Sequence, residues 1–280
     1  MKDVTKELFS YFHFIGSGGF PPPRDLDKIK SLIEKGAELD KINPGFNLDM
    51  LSAVIGNTKS KKERLATVKL LIDSGAKINF EDKFSSPLRL ALQALDFKVV
   101  KLLLESGAVI VPPRDLYASK IIWKDNMKFF SLLLEYGLDI NSTVSYPSRG
   151  GADDEFEIPG DSILMYAAFS EAINIMKCLI EKNVDIHYSQ PFSGTALAQS
   201  VKDNRIASIE LLLEAGSDPD EIVSPSEMPI LRIAISRGYF DAVKLLLKYG
   251  ATIKGAYFRE DLDNLNIPRD VAQKLEELLS

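Results

Sequence analysis

The chain has 280 residues, 45% of them hydrophobic, a net charge of −6, one cysteine and two histidines. The hydrophobic share is ordinary for a folded chain, and the acidic balance argues against nucleic acid or anionic membrane, both of which select basic stripes. A single cysteine excludes an internal disulfide, no apolar run approaches the ~18 residues needed to span a bilayer, and the start Met1-Lys2-Asp3-Val4-Thr5-Lys6-Glu7 is too charged for a secretory signal.

In chain order, residues 1–26 read as a divergent amino-terminal cap holding the tract Gly16-Ser17-Gly18-Gly19-Phe20-Pro21-Pro22-Pro23. A phosphate cradle would need a following Gly-Lys-Ser/Thr and a preceding strand, and neither is present. A short phrase then begins to recur. It starts weakly as Leu32-Ile33-Glu34-Lys35-Gly36 and returns as Val68-Lys69-Leu70-Leu71-Ile72-Asp73-Ser74-Gly75 and Val100-Lys101-Leu102-Leu103-Leu104-Glu105-Ser106-Gly107. Ser131-Leu132-Leu133-Leu134-Glu135-Tyr136-Gly137 and Met176-Lys177-Cys178-Leu179-Ile180-Glu181-Lys182-Asn183 follow, then copies ending at Gly216 and Gly250. Each copy predicts the end of an amphipathic helix, with its leucines on a buried stripe. The glycine, or Asn183 in its place, sits where the chain leaves in the left-handed region. Ile78, Ile110, Ile140, Ile186 and Ile253 follow and are expected to bury one side chain each under the next repeat.

Sixteen residues before four of these positions lies a small residue: Ala91, Ala167, Ser200 and Ala234. Each closes a first-helix tract, such as Ser86-Pro87-Leu88-Arg89-Leu90-Ala91 or Thr195-Ala196-Leu197-Ala198-Gln199-Ser200. Ser or Thr caps the helix, Pro87 suits its first turn, and the small residue lets two helices approach. The copy ending at Gly137 is weak at its start, and the copy ending at Gly36 shows none. Gly56-Asn57-Thr58-Lys59-Ser60-Lys61-Lys62-Glu63-Arg64 is expected to lengthen a turn between two helices. Residues 142–161 form a larger insertion with Gly150-Gly151 and four carboxylates, Asp153, Asp154, Glu155 and Glu157. It reads as a mobile acidic finger open to proteolysis between Tyr146 and Gly160, and not as a calcium loop, whose ligand alternation it lacks. Residues 254–280 read as a half-polar helical cap.

A period near 33 residues with these signatures resembles the ankyrin repeat, whose motif is T-P-L-H-x-A at the start of the first helix and a leucine-rich second helix ending in Gly. The resemblance runs from Asp27 to Ile253, although Arg89, Met165, Ala198 and Arg232 stand where the motif has histidine. It implies an all-α solenoid of about seven ankyrin-like helical repeats with short hairpin loops, spanning 27–253.

No catalytic signature accompanies the repeats. His13 and His187 lack partners at metal-ligand spacing, and Cys178 falls in a second helix, where a buried inert thiol is expected. No enzyme activity, cofactor or metal is expected. The resemblance implies recognition of another protein; with no secretory signal or membrane span read in the sequence, a cytoplasmic protein, and a monomer, is expected, although a non-classical export route would leave no mark in the sequence. The alternatives are an inhibitor or immunity-type protein that covers one enzyme, and an enzyme or enzyme-regulatory module with an unmarked site. The family's concave positions, carried onto this chain, give Gln93, Trp123, Lys124, Phe169, Lys202 and Arg237 on first helices and Phe192 on a hairpin. Trp123 and Phe169 come from equivalent positions of adjacent repeats and are expected to be neighbours. Aromatic and cationic residues are the types that dominate binding energy.

Overall fold

A computed structural model describes residues 3–12, 25–42, 48–80, 86–111, 120–147, 157–191, 193–223 and 228–252, together with 273–274 and 277. Ile253, the tract at 16–23, Phe192 and the tail apart from residues 273–274 and 277 lie outside the described residues. The chain divides into two compact units, Met1–Ile121 with Ser131–Leu138, and Ile122–Phe130 with Asp139–Ser280.

In the first unit, α1 (Asp3–Phe12), α2 (Leu26–Glu34), α3 (Met50–Asn57), α4 (Lys61–Asp73), α5 (Pro87–Gln93) and α6 (Phe97–Glu105) pack in two rows. α1 meets α3 and α3 meets α5, while α2 meets α4 and α4 meets α6. α1 therefore occupies the first-helix place that the sequence leaves blank before Gly36, with Leu8, Phe9 and Phe12 buried. α7 (Met127–Glu135) follows. The second unit repeats the pattern with α8 (Ile163–Phe169), α9 (Ile173–Glu181), α10 (Ala196–Lys202), α11 (Ile206–Glu214), α12 (Ile230–Ser236) and α13 (Phe240–Lys248). Here α8, α10 and α12 form one row and α9, α11 and α13 the other.

The turn chemistry accounts for these boundaries. Ser86, Ser162 and Thr195 cap α5, α8 and α10 by accepting backbone N–H groups of their first turns. At the other end, the N–H of Gly107 donates to the Leu104 carbonyl and that of Ala108 to the Leu103 carbonyl, 3.0 and 2.9 Å away. This is the Schellman closure, which needs a left-handed residue; Gly107 has φ 90° and Asn183, in the same place, φ 57°. Ala91, Ala167, Ser200 and Ala234 are fully buried where first helices approach one another.

Three expectations are corrected. The buried residue after the helix end is the one directly following the glycine position, as at Ala76, Leu138, Val184 and Ala251. Ile78, Ile110, Ile140 and Ile186 are only half-buried. Cys178 is half-exposed, because it shares its place in the helix with Leu70, Leu102, Leu211 and Leu245, which are half-buried too. The insertion is also not wholly irregular. β1 (Thr143–Pro147) pairs antiparallel with β2 (Glu157–Ser162), since main-chain pairing orders its two stems whatever the composition of the segment between them. A second short hairpin joins β3 (Ile222–Val223) to β4 (Met228–Pro229). Among the described residues, no helix is long and apolar enough to cross a membrane.

Candidate functional site

In the second unit, Tyr166 and Phe169 stand against Trp123. Residues 121–125 form a turn that places the Trp123 indole 52% exposed. Its ring stands edge-on to Phe169 at 5.7 Å and to Tyr166 at 5.9 Å, at interplanar angles of 89° and 87°. The Trp123 Nε1–H donates to the Tyr166 hydroxyl at 2.9 Å. Edge-to-face rings with the polar N–H satisfied hold a large apolar surface in place while leaving half of it uncovered. Arg205 places its guanidinium 5.2 Å from the Phe169 ring centre and lies 3.8 Å from Glu171, so Phe169 has a cation on its face as well as a ring at its edge.

The turn is fixed from behind. Asp125 has φ 46°, and its carboxylate accepts the backbone N–H groups of Asn174 at 3.0 Å and Ile175 at 2.9 Å. It also accepts the Asn174 side-chain N–H at 2.6 Å. α9 has no side-chain cap from its own N-cap residue, Ala172; Asp125 of the preceding repeat supplies it.

Beside the aromatic group lies a groove of about 440 Å³. Its floor includes Tyr166 and Phe169, and its wall includes Gln199, Lys202, Asp203 and Arg237. Asp161, at the end of β2, lines the rim and accepts the side-chain amides of Gln190 at 2.8 Å and Gln199 at 3.2 Å. Lys202 Nζ donates to the Ser193 carbonyl at 3.1 Å, and Arg237 donates to the Lys202 carbonyl. Burial pulls the Lys202 ammonium below the usual lysine range; Glu221 opposes the pull, Arg237 adds to it and Asp203 opposes it. Ser193 is presented by a tight turn that requires Gly194. That residue has φ 76°, and a Cβ there would meet the Ala198 Cβ at 2.7 Å and the Glu221 carboxylate at 2.9 Å. The same Glu221 accepts the Thr195 backbone N–H at 2.9 Å.

Of the residues expected at the site, Trp123 and Phe169 are neighbours, and Phe169, Lys202 and Arg237 line one groove. Lys124 is exposed beside Trp123, Gln93 is exposed at the end of α5 in the first unit, and Phe192 lies outside the described residues. Sequence reasoning missed Tyr166, Arg205 and Asp125. Tyr166 stands in a first-helix tract that otherwise reads as core, and Arg205 and Asp125 act across repeats, where spacing within one repeat gives no signal. Among the described residues, no three His, Cys, Asp or Glu side chains gather as a metal cluster.

A family model described as ankyrin repeats (three copies) matches residues 164–256. Over 253 residues, 83% of this chain, it is 21% identical to the ankyrin repeat and KH domain-containing protein mask-1 of Caenorhabditis elegans, spanning 9% of that protein. Over 172 residues, 58% of the chain, it is 28% identical to the putative ankyrin repeat protein R599 of Acanthamoeba polyphaga mimivirus, spanning 43% of it. The ankyrin repeat protein nuc-2 of Neurospora crassa is 24% identical over 204 residues, 71% of this chain and 18% of nuc-2. Among solved structures, the human ASB11 ankyrin repeat domain aligns over 98% of this chain and 96% of that one, at a TM-score of 0.41 and 20% identity.

Proposed function

We propose that this chain, an ankyrin-repeat protein, binds another protein through the face that carries Trp123, Phe169 and the adjoining groove. The observation that carries this reading is the state of Trp123: half its surface is uncovered, yet two ring contacts and a hydrogen bond restrain it. A rigid aromatic loses little conformational freedom when a partner covers it, which is why such residues anchor interfaces. Lys124 follows the anchor in the chain and is exposed, and Lys202 and Arg237 line the adjoining groove together with Asp161 and Asp203; the three cations are the groups that would steer acidic groups of a partner.

The chain works as a non-catalytic, cytoplasmic, monomeric binding module. Two histidines in 280 residues, neither spaced for a metal or a nucleophile, leave the common acid–base and metal chemistries without their usual donors. The test begins with affinity capture of the partner and identification by mass spectrometry. Trp123→Ala and Phe169→Ala should then each weaken that partner by about 2 kcal/mol or more, with the melting transition retained. Unchanged affinity in both variants would move the site off this face.

A further inference from the structure

Resting on that binding reading, we propose that the partner covers Trp123 with an apolar side chain, and that Tyr166 is the positioning residue that makes the anchor select one. An indole has a single polar group, its Nε1–H, which can only donate. In Trp123 that donor is already given to the Tyr166 hydroxyl at 2.9 Å. What the half-exposed indole offers a partner is therefore carbon surface, with no hydrogen bond left to give. An apolar side chain can cover that surface without stripping the N–H of its bond. An indole bonded to water instead would lose the bond on being covered, and an unpaired buried donor lowers affinity about tenfold or more. An acid or amide seated at the same place would find no donor there and would leave water without compensation.

Tyr166 acts on the indole twice. Its ring stands at 87° to that of Trp123 with centroids 5.9 Å apart, and its hydroxyl holds the N–H, so both the tilt and the rotation of the indole are set from one side chain. Tyr166 is itself well placed to do this, because the residues on either side of it in α8, Leu164, Met165, Ala167 and Ala168, are buried. A positioning group carried by a packed helix is held more precisely than one on a loop. Of the three rings, Trp123 is the open one: Tyr166 and Phe169 are half-buried, and Phe169 already has Arg205 on its face. The charged residues of the groove then belong to the surroundings of the anchor, and the group that meets the anchor itself is apolar, as in other hot spots ringed by polar residues.

The probe is a phage-displayed library of random peptides panned on the full chain. In the leading peptide, the residue on the indole is the one whose exchange to Ala is non-additive with Trp123→Ala. That residue should be aliphatic or aromatic, and exchanging it for Asn or Gln should weaken binding to the parent about tenfold or more. Tyr166→Phe removes only the acceptor oxygen. It should bind the leading peptide about tenfold less tightly, yet penalise the amide exchange several-fold less than the parent does, because its indole N–H is open to the amide carbonyl. A merely structural role for Tyr166 would lower the affinity of both peptides alike. The parent gives a second readout that needs no variant: its one tryptophan has one indole N–H resonance, which should exchange with water more slowly than that of free tryptophan and stay protected when the leading peptide saturates the protein. No selected peptide, a charged or amide residue on the indole, equal losses of the two peptides in Tyr166→Phe, or an indole proton exchanging as fast as in free tryptophan would overturn the proposal. A peptide lost with Trp123→Ala but indifferent to Tyr166→Phe would leave the binding face standing and remove the role of Tyr166. Peptides indifferent to both variants would remove both.

Discussion

Asp125 caps a helix of the next repeat: its carboxylate accepts the Ile175 backbone N–H at 2.9 Å, fifty residues along the chain. The same residue closes the turn that carries Trp123, so the stability of α9 and the position of the aromatic anchor depend on one side chain. Asp125→Ala should cost about 1–2 kcal/mol of stability and should also weaken partner binding, although Asp125 is not expected to touch the partner. Asp125→Asn retains a capping oxygen and should recover most of both. Thermal melting and affinity measured on the two variants check this; a loss of stability with full affinity would show that Trp123 is held without Asp125.

A second set of inter-repeat bonds is periodic. Asp40 accepts the Lys77 N–H, Asn79 that of Val109, Asn141 that of Asp185 and Asp220 that of Thr252, at 2.8, 2.9, 2.9 and 2.7 Å. Each acceptor lies four residues past its helix-ending glycine, and the equivalent place after Asn183 holds His187. His187→Asn should add the missing rung to the Asp218 N–H and raise stability by about 0.5–1.5 kcal/mol. Chemical denaturation of the variant measures this, and an unchanged or lowered midpoint would show that the rung does not form there.

Leu103 and Leu246 are fully buried in second helices of the first and second units. Either one changed to Ala should cost about 2–5 kcal/mol through lost burial and the cavity left behind. A neutral result at both, by denaturant titration, would mean that these stripes are not the core.

Asp49 carries a pH dependence whose sign is fixed by its surroundings. Burial raises its carboxyl above the usual aspartate range, opposed by hydrogen bonds from the Ser52 side chain and backbone. A folded-state pKa above the unfolded one means that the group's stabilising contribution is complete below the unfolded pKa and is lost as pH rises through the folded one. Asn caps a helix as well as Asp does, so Asp49→Asn should gain stability relative to the parent as pH rises from about 4 toward neutrality. A difference between the two proteins that stays constant across that range would contradict the assignment.

The glycine phrase was legible because it states a backbone preference: glycine and asparagine enter the left-handed region at the least cost, and the chain keeps one or the other at every copy. A second left-handed position, twelve residues earlier, was not legible. It holds Leu95, Asp125, Glu171, Asn204 and Gly238, with φ between 46° and 69°, and two of these residue types, Leu and Glu, carry no such signal. Each closes its helix end by donating its N–H to the carbonyl three residues back, in a conformation that costs a side-chain-bearing residue about 1–2 kcal/mol. The stems of the insertion were hidden for a related reason. Thr143, Val144, Tyr146 and Ile158 are strand formers, but the Gly-Gly and acidic residues between them dominate the composition. At the site, the Trp123–Phe169 neighbourhood followed from equivalent places in adjacent repeats. The Tyr166 hydroxyl, Arg205 and Asp125 did not, because their contacts cross from one repeat to another.

The most direct test of the binding face uses the fact that the chain has one tryptophan. Incorporated as 5-fluorotryptophan, Trp123 gives a single ¹⁹F resonance that no unlabelled partner can obscure. On titration with the captured partner, that resonance should shift or broaden and saturate in step with binding, and Phe169→Ala should weaken the binding it reports. A resonance unchanged at full occupancy would contradict the account, because a partner seated on this face could not leave the half-exposed indole in the environment it has alone.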